Sequence, residues 1–183
     1  MAGPSEPPPV KLVCGMLSAR KDLFDEAAEE VARMLGPVDL VSDIMDFDFT
    51  RYYDAEMGSP LWRRFVSLAE RVPPDALAEI KLRTNELEKA LASKYACPRM
   101  SRPVNLDPGY IEPSKLVLAS MKNFSHRIYL GRGVYAELTL MYRNGRWEPL
   151  PWTFPDYASG RYDAFLSAAR CRLRRGQDKE AGR

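Results

Sequence analysis

Between residues 115 and 150 the chain passes through four short stretches of strand-forming residues, 115–120, 125–130, 134–142 and 146–150, with only turn chemistry between most of them. Asn144-Gly145 is a two-residue hairpin signal, because both positions tolerate positive φ. Gly131-Arg132-Gly133 is a second turn. Connections this short cannot carry a parallel crossover, so this half must form an antiparallel meander. Parity then fixes the faces, because residues directly opposite one another point the same way. A three-residue loop at 131–133 sets Arg127 opposite Glu137, Tyr129 opposite Tyr135 and Ser125 opposite Thr139. The other face is then His126, Ile128 and Leu130 against Val134, Ala136 and Leu138, apolar apart from His126. A two-residue loop would set Ile128 against Glu137 and mix the faces.

Upstream, the run at 11–17 reads as a buried strand, and Asp22 opens a helix with Phe24, Ala27, Ala28, Val31 and Leu35 at helical spacing. Gly36-Pro37 stops it. A second strand is expected at 38–44, a loop or partial helix at 46–58 and a strand at 61–68. Asp75 is expected to cap a helix that buries Leu77, Ile80, Thr84, Leu87 and Leu91 and leaves Lys81, Asn85 and Glu88 solvated. Residues 93–113, with four prolines and the Asp107-Pro108-Gly109-Tyr110 turn, read as a long loop of the kind that often carries function. A last helix buries Tyr162, Phe165, Leu166, Ala169 and Leu173. The order β-α-β-β-α-β, then a meander and a helix, predicts an α+β fold: a ferredoxin-like split β-α-β core with an added antiparallel meander and a C-terminal helix. The expected organisation is a disordered lead-in at 1–9, one domain at 10–175 and a disordered tail at 176–183.

Composition removes several function classes. A net charge of +2 over 183 residues gives no global field for nucleic acid or an anionic membrane, so any anion preference must be local. Cys14, Cys97 and Cys171 are odd in number and contain no CxxC pair, which argues against a disulfide framework or a thiolate zinc site and for a reducing cytoplasm. No apolar run approaches the roughly 20 residues that span a bilayer, and the proline-rich start lacks a signal-peptide core. There is no GxxxxGK[ST], GxGxxG or GxSxG motif.

The chemistry gathers in the second half. The window 99–132 holds Arg99, Arg102, Lys115, Lys122, Arg127 and Arg132 against Asp107 and Glu112, which suits a phosphate or carboxylate. Arg127, Tyr129, Tyr135 and Glu137 form either a solvated face, with an ion pair worth under about 1 kcal/mol, or the floor of a binding site. His126, the only histidine, is either a satisfied core residue or a proton donor and acceptor. Asp107, Glu137 and Asp156 offer hard oxygens to Mg²⁺ without a recognised spacing. Arg170, Arg172, Arg174 and Arg175 form a basic helix end.

The stretch RPVNLDPGYIEPSKLVLASMKNFSHRIYLGRGVYAELTL, with PLPWTFPDY and the earlier KLVCGMLSARKDLF, FDFTRYYDAEMG and IKLRTNELE, resembles a bacterial family known as a domain of unknown function, DUF4416. The resemblance marks Arg102, Asn105, Asp107, Gly109, Tyr110, Lys115, Lys122, Asn123, His126, Arg127, Tyr129, Glu137, Trp152, Asp156 and Tyr157, with Thr50, Tyr53 and Glu56 upstream. Met121 stands where the family usually has threonine, and Phe154 where tyrosine is common.

Three functions follow as expectations. The first is binding of a nucleotide or other phosphate-bearing ligand, with Lys115, Lys122 and Arg127 on the phosphate, Tyr110, Tyr129 or Trp152 stacking, and Arg102, Asn105, Asn123 and Asp156 around them. The second is a Mg²⁺-dependent enzyme on a phosphorylated substrate or nucleic acid, with His126, Glu137 and Asp107 as catalytic groups. The third is a protein-interaction module using Tyr52, Tyr53 and Trp62.

Overall fold

A computed structural model describes residues 3–181, with side chains through Arg175. The nine strands are β1 (Val10–Ser18), β2 (Val38–Val41), β3 (Met45–Phe47), β4 (Leu61–Val72), β5 (Asn105–Glu112), β6 (Lys115–Ser120), β7 (Arg127–Gly131), β8 (Val134–Arg143) and β9 (Arg146–Pro149). The helices are α1 (Leu23–Leu35), α2 (Asp54–Met57), α3 (Leu77–Tyr95), α4 (Pro155–Ala158) and α5 (Asp163–Ala181). The fold is α+β. All described strands join one antiparallel sheet in the order β2-β4-β1-β5-β6-β8-β7, with β3 beside β4 and β9 beside β8.

Strand parity divides the core. Leu12, Cys14 and Met16 of β1, with Val66, Leu68 and Leu106, pack under α1 and α3. Val13, Phe65, Ile111 and Leu118 pack under α4 and α5 on the opposite face, against Tyr157, Tyr162, Phe165 and Leu173. Both layers bury large apolar side chains, worth about 1.5–3 kcal/mol each. Burial pushes the Cys14 thiol up to about 12, so it acts as a small core residue.

The 93–113 segment departs most from its sequence reading. Asp107-Pro108-Gly109-Tyr110 is extended backbone inside β5, at the centre of the sheet, not a reversal. Pro108 lies one residue before the register with β6 begins at Gly109↔Leu118, where a residue without an N–H can be accommodated. Gly109 is needed for close approach, not for a turn: a Cβ there would sit 2.4 Å from the Val117 carbonyl oxygen. The strand that follows the second long helix and lies beside β1 is therefore β5, one strand earlier than expected.

Smaller differences are local. The expected 38–44 strand splits into β2 and β3. A 3₁₀ turn at Pro74–Ala76 precedes α3, and Asp75 makes no side-chain cap. Residues 3–9 have no regular structure, α5 runs unbroken past Gly176 to Ala181, and Met1, Ala2, Gly182 and Arg183 lie outside the described residues. The Asn144-Gly145 hairpin forms with both residues at positive φ. Arg127↔Glu137 and Tyr129↔Tyr135 pair as parity requires, through a turn at Arg132-Gly133 and an irregularity after Tyr129.

Candidate functional site

Before Gly109, β5 runs outside the pairing with β6, which leaves the backbone of Leu106 facing α3. Two helix side chains replace the missing strand. Lys81 Nζ donates to the Leu106 carbonyl at 2.8 Å, and Glu88 Oε1 accepts the Leu106 N–H at 2.7 Å. Both are nearly buried, so Lys81 and Glu88 are structural and not the solvated stripe read from the helix pattern. Glu88 Oε2 also accepts from Arg102 Nη2 at 2.7 Å and Nε at 3.0 Å. Arg102 Nη2 donates onward to Asn105, whose Nδ2 donates to Asp107 Oδ2 at 2.7 Å.

Asp107 is the junction to the other sheet face. Arg63 Nη1 donates to its Oδ2 at 2.9 Å, and Arg63 Nη2 lies 3.6 Å from Asp156 Oδ2, which accepts from the Tyr162 hydroxyl at 3.2 Å. Burial works against the Arg63 charge, but Asp107, Tyr157 and Asp156 more than offset it, so its pKa rises. The same burial splits the acids. It raises Asp156 and Glu88 above the usual carboxylate range despite their cationic neighbours. At Asp107 burial is outweighed by Arg63 and Lys81, which hold its carboxyl low. Tyr53 faces this inner cluster, its hydroxyl pKa raised by burial and by Asp107, and Glu56 lies 3.8 Å from Arg102.

An outer cluster sits at the β7–β8 end. Glu137, 1% exposed, accepts from Arg127 Nε at 2.8 Å and lies 3.1 Å from His126 Nε2, both through Oε2. His126 precedes β7 and turns onto the Glu137 face, not the apolar side that parity assigned it. Its ring stacks on Trp152 at 5.3 Å and 10°, and Phe124 meets it tilted at 5.2 Å. Trp152 is anchored by its Nε1–H to the Leu138 carbonyl at 2.8 Å. Arg127 lies over Phe154 and donates to the Lys122 carbonyl. Lys122 Nζ is 2.6 Å from the Tyr52 hydroxyl.

Two segments bridge the clusters. Trp152, Phe154, Asp156 and Tyr157 reach from His126 to Arg63, and Tyr52, Tyr53 and Glu56 reach from Lys122 to Arg102. The Arg127–Glu137 end of the polar sheet face is thus covered by the 150–157 segment and not by the proline-rich stretch, while Tyr129 stays exposed. Among the described residues, the buried polar atoms without a hydrogen-bond partner are Arg63 Nε and Tyr157 Oη in the inner cluster, His126 Nδ1 and Glu137 Oε1 in the outer, and Trp147 Nε1 elsewhere.

Other expected residues lie apart. Lys115 pairs with Glu112 at the opposite end of β6, and Tyr110 packs beside α3 on the other face. Tyr129 is exposed on the sheet edge against Tyr135, and Asn123 is exposed. Arg132 pairs with Glu79. Arg170 donates to the Pro113 carbonyl and Arg172 to Asp39, so the basic helix end is dispersed. Among the described residues no group of three or more His, Cys, Asp or Glu side chains is placed to hold a metal ion. Two surface hollows, one at Pro7–Pro9 with Leu173 and one at Met34, Glu70 and Arg83, lie away from both clusters.

Sequence reasoning missed Arg63 and misread Lys81 and Glu88 as solvated; it buried Tyr162 correctly but not its bond to Asp156. Arg63 had a signal, a charge at the same parity as the apolar Leu61 and Phe65.

The profile described as Domain of unknown function (DUF4416) matches residues 8–172. The chain belongs to the DUF4416 family. No curated protein and no solved structure gives a significant match. The residues singled out by the resemblance fall largely in the two clusters and their bridges. Thr50 accepts the Tyr52 N–H, Tyr53 packs edge-on against Phe47, and Glu56 meets Arg102. Among the described residues no helix is long and apolar enough to cross a membrane.

Proposed function

We propose that this DUF4416 chain binds a nucleotide or related phosphate-bearing ligand at the outer cluster. The observation that carries the reading is Glu137: a buried carboxylate that meets the Arg127 guanidinium and the His126 ring through one oxygen and leaves the other without a donor. Buried polar atoms in folded proteins are nearly always bonded. A carboxylate oxygen repels phosphate but accepts from a sugar hydroxyl or a base amine, so it selects a nucleoside part. Lys122, at the exposed rim, suits the phosphate, and Trp152 and Phe124 offer aromatic faces. Arg127 belongs to this set through Glu137, while Lys115, Tyr110 and Tyr129 do not. The run β1-α1-β2-β4-α3-β5, with β2-β4-β1-β5 adjacent and α1 and α3 on one face, supports a ferredoxin-like split β-α-β core for the first half. Three free cysteines support a reducing cytoplasmic setting.

A thermal-shift screen with nucleotides, with and without Mg²⁺, tests this. Ligand at about 100 times its Kd adds about 2.7 kcal/mol, or roughly 5–10 °C, and Lys122→Ala removes the shift. No shift with any nucleotide contradicts it. A catalytic reading is favoured by the opposite pKa shifts of Asp107 and Asp156 around Arg63 and by the His126–Glu137 contact. It requires metal-dependent turnover of a phosphorylated substrate or nucleic acid that is lost in His126→Ala.

A further inference from the structure

The two edges of the sheet are finished differently. On the β2–β3 side, arginines occupy strand carbonyls: Arg172 Nε donates to Asp39 O at 3.3 Å and Arg161 Nη1 to Asp46 O at 2.6 Å. Strand β2 is also short and irregular in register. Such devices discourage a further strand from adding. At the β7 end, among the described residues, no side chain is bonded to the backbone of residues 127–131, and no further strand follows β7 in the sheet order. Ile128, Tyr129 and Leu130 are 69%, 59% and 40% exposed, and Phe124 and Met121 stand exposed just before the strand.

The backbone orientation follows from one bond. The Arg127 N–H is donated to the Phe124 carbonyl at 3.0 Å, away from β8. Arg127↔Glu137 and Tyr129↔Tyr135 are then the non-hydrogen-bonded pairs, and the N–H and C=O of Tyr129 point out of the sheet. The strand is self-complementary about that residue. In an antiparallel pair centred on Tyr129, the two copies of Tyr129 exchange both backbone bonds. Ile128 of one copy lies opposite Leu130 of the other, and Arg127 lies opposite Gly131. No like charges oppose each other, because the only charged side chain of β7, Arg127, is turned inward onto Glu137.

We infer that the free edge of β7 pairs with β7 of a second copy of this chain, giving a two-fold dimer with one sheet continuous across both molecules. A five-residue strand with flanking apolar side chains is a small interface, so a dissociation constant on the order of 10–100 µM is expected. Sedimentation analysis of the full chain over a concentration series tests it. The mass rises from the 20.8 kDa monomer toward twice that value. Ile128→Lys and Tyr129→Pro each hold it at the monomer, and Ile128→Lys keeps the wild-type melting temperature. If Tyr129→Pro fails to fold, Ile128→Lys still decides. A wild type that stays monomeric through the millimolar range overturns the inference, as does a dimer that persists in Ile128→Lys.

Discussion

The inner cluster around Arg63 and the outer cluster around Glu137 use the same residue types, yet the fold needs them to different degrees. In the inner cluster, Lys81 and Glu88 supply the partners that β5 lacks where its pairing with β6 stops, and Arg63 holds Asp107 and Asp156 together. Without these groups, backbone and charge would be stranded in the interior. The outer cluster closes no strand. Glu137 gathers Arg127 and His126 at the end of the sheet, next to an exposed lysine and exposed aromatics, and keeps one oxygen unmatched. Polar density alone therefore does not mark a site. What separates the two is whether the polar groups are explained by the backbone they serve.

The largest test of that contrast is Arg63→Ala. It leaves buried Asp156 and half-buried Asp107 without their shared cation and should cost about 3–5 kcal/mol, roughly 10 °C in melting temperature for a chain of this size. A loss below about 1 kcal/mol would show that the inner cluster is not structural. Gly109→Ala comes next. The new Cβ meets a backbone carbonyl of β6, so strand separation has to grow, at about 1–3 kcal/mol by denaturant unfolding.

The pH dependence sharpens the same contrast. Glu88 and Asp156 have raised folded-state pKa values, so the native state binds more protons than the unfolded chain just above the usual carboxylate range. Stability should therefore increase as pH falls through their raised folded pKa values toward the ordinary carboxylate pKa. Asp107 is held low, so its contribution is present above the ordinary carboxylate pKa and is lost as pH falls through its depressed value. A melting-temperature profile should rise into mild acid and then fall, and Glu88→Gln should flatten the rise. The smallest stability effect belongs to Lys122→Ala, within about 0.5 kcal/mol, because the side chain is exposed.

How much of this was legible in the sequence depended on which rule governed each residue. The Arg127–Glu137 and Tyr129–Tyr135 pairs were readable because strand parity is local, although the loop is two residues, Arg132-Gly133, and an irregularity after Tyr129 restores the pairing expected from three. His126 escaped the same rule because it lies outside the strand, where parity does not apply. The Asp107-Pro108-Gly109 run carries the composition of a turn, and only tertiary context makes it a strand: β1 pairs with it throughout, β6 pairs only from Gly109 on, and a glycine is needed where Val117 comes close. Lys81 and Glu88 looked solvated because helical periodicity cannot show that the neighbouring strand has an open backbone edge. Arg63 was visible in principle, as a charge at an inward parity, but its partners Asp107 and Asp156 lie far along the chain.

The central claim is that Glu137 and Lys122 form one ligand site beyond the needs of the fold. Isothermal titration of the wild type, Lys122→Ala and Glu137→Gln with a nucleoside monophosphate, and with inorganic phosphate in parallel, tests it most directly. The nucleotide should bind the wild type more tightly than phosphate does, with each substitution weakening it by tenfold or more, about 1.4 kcal/mol. Nucleotide affinity unchanged by both substitutions, or equal to that of phosphate alone, would contradict it.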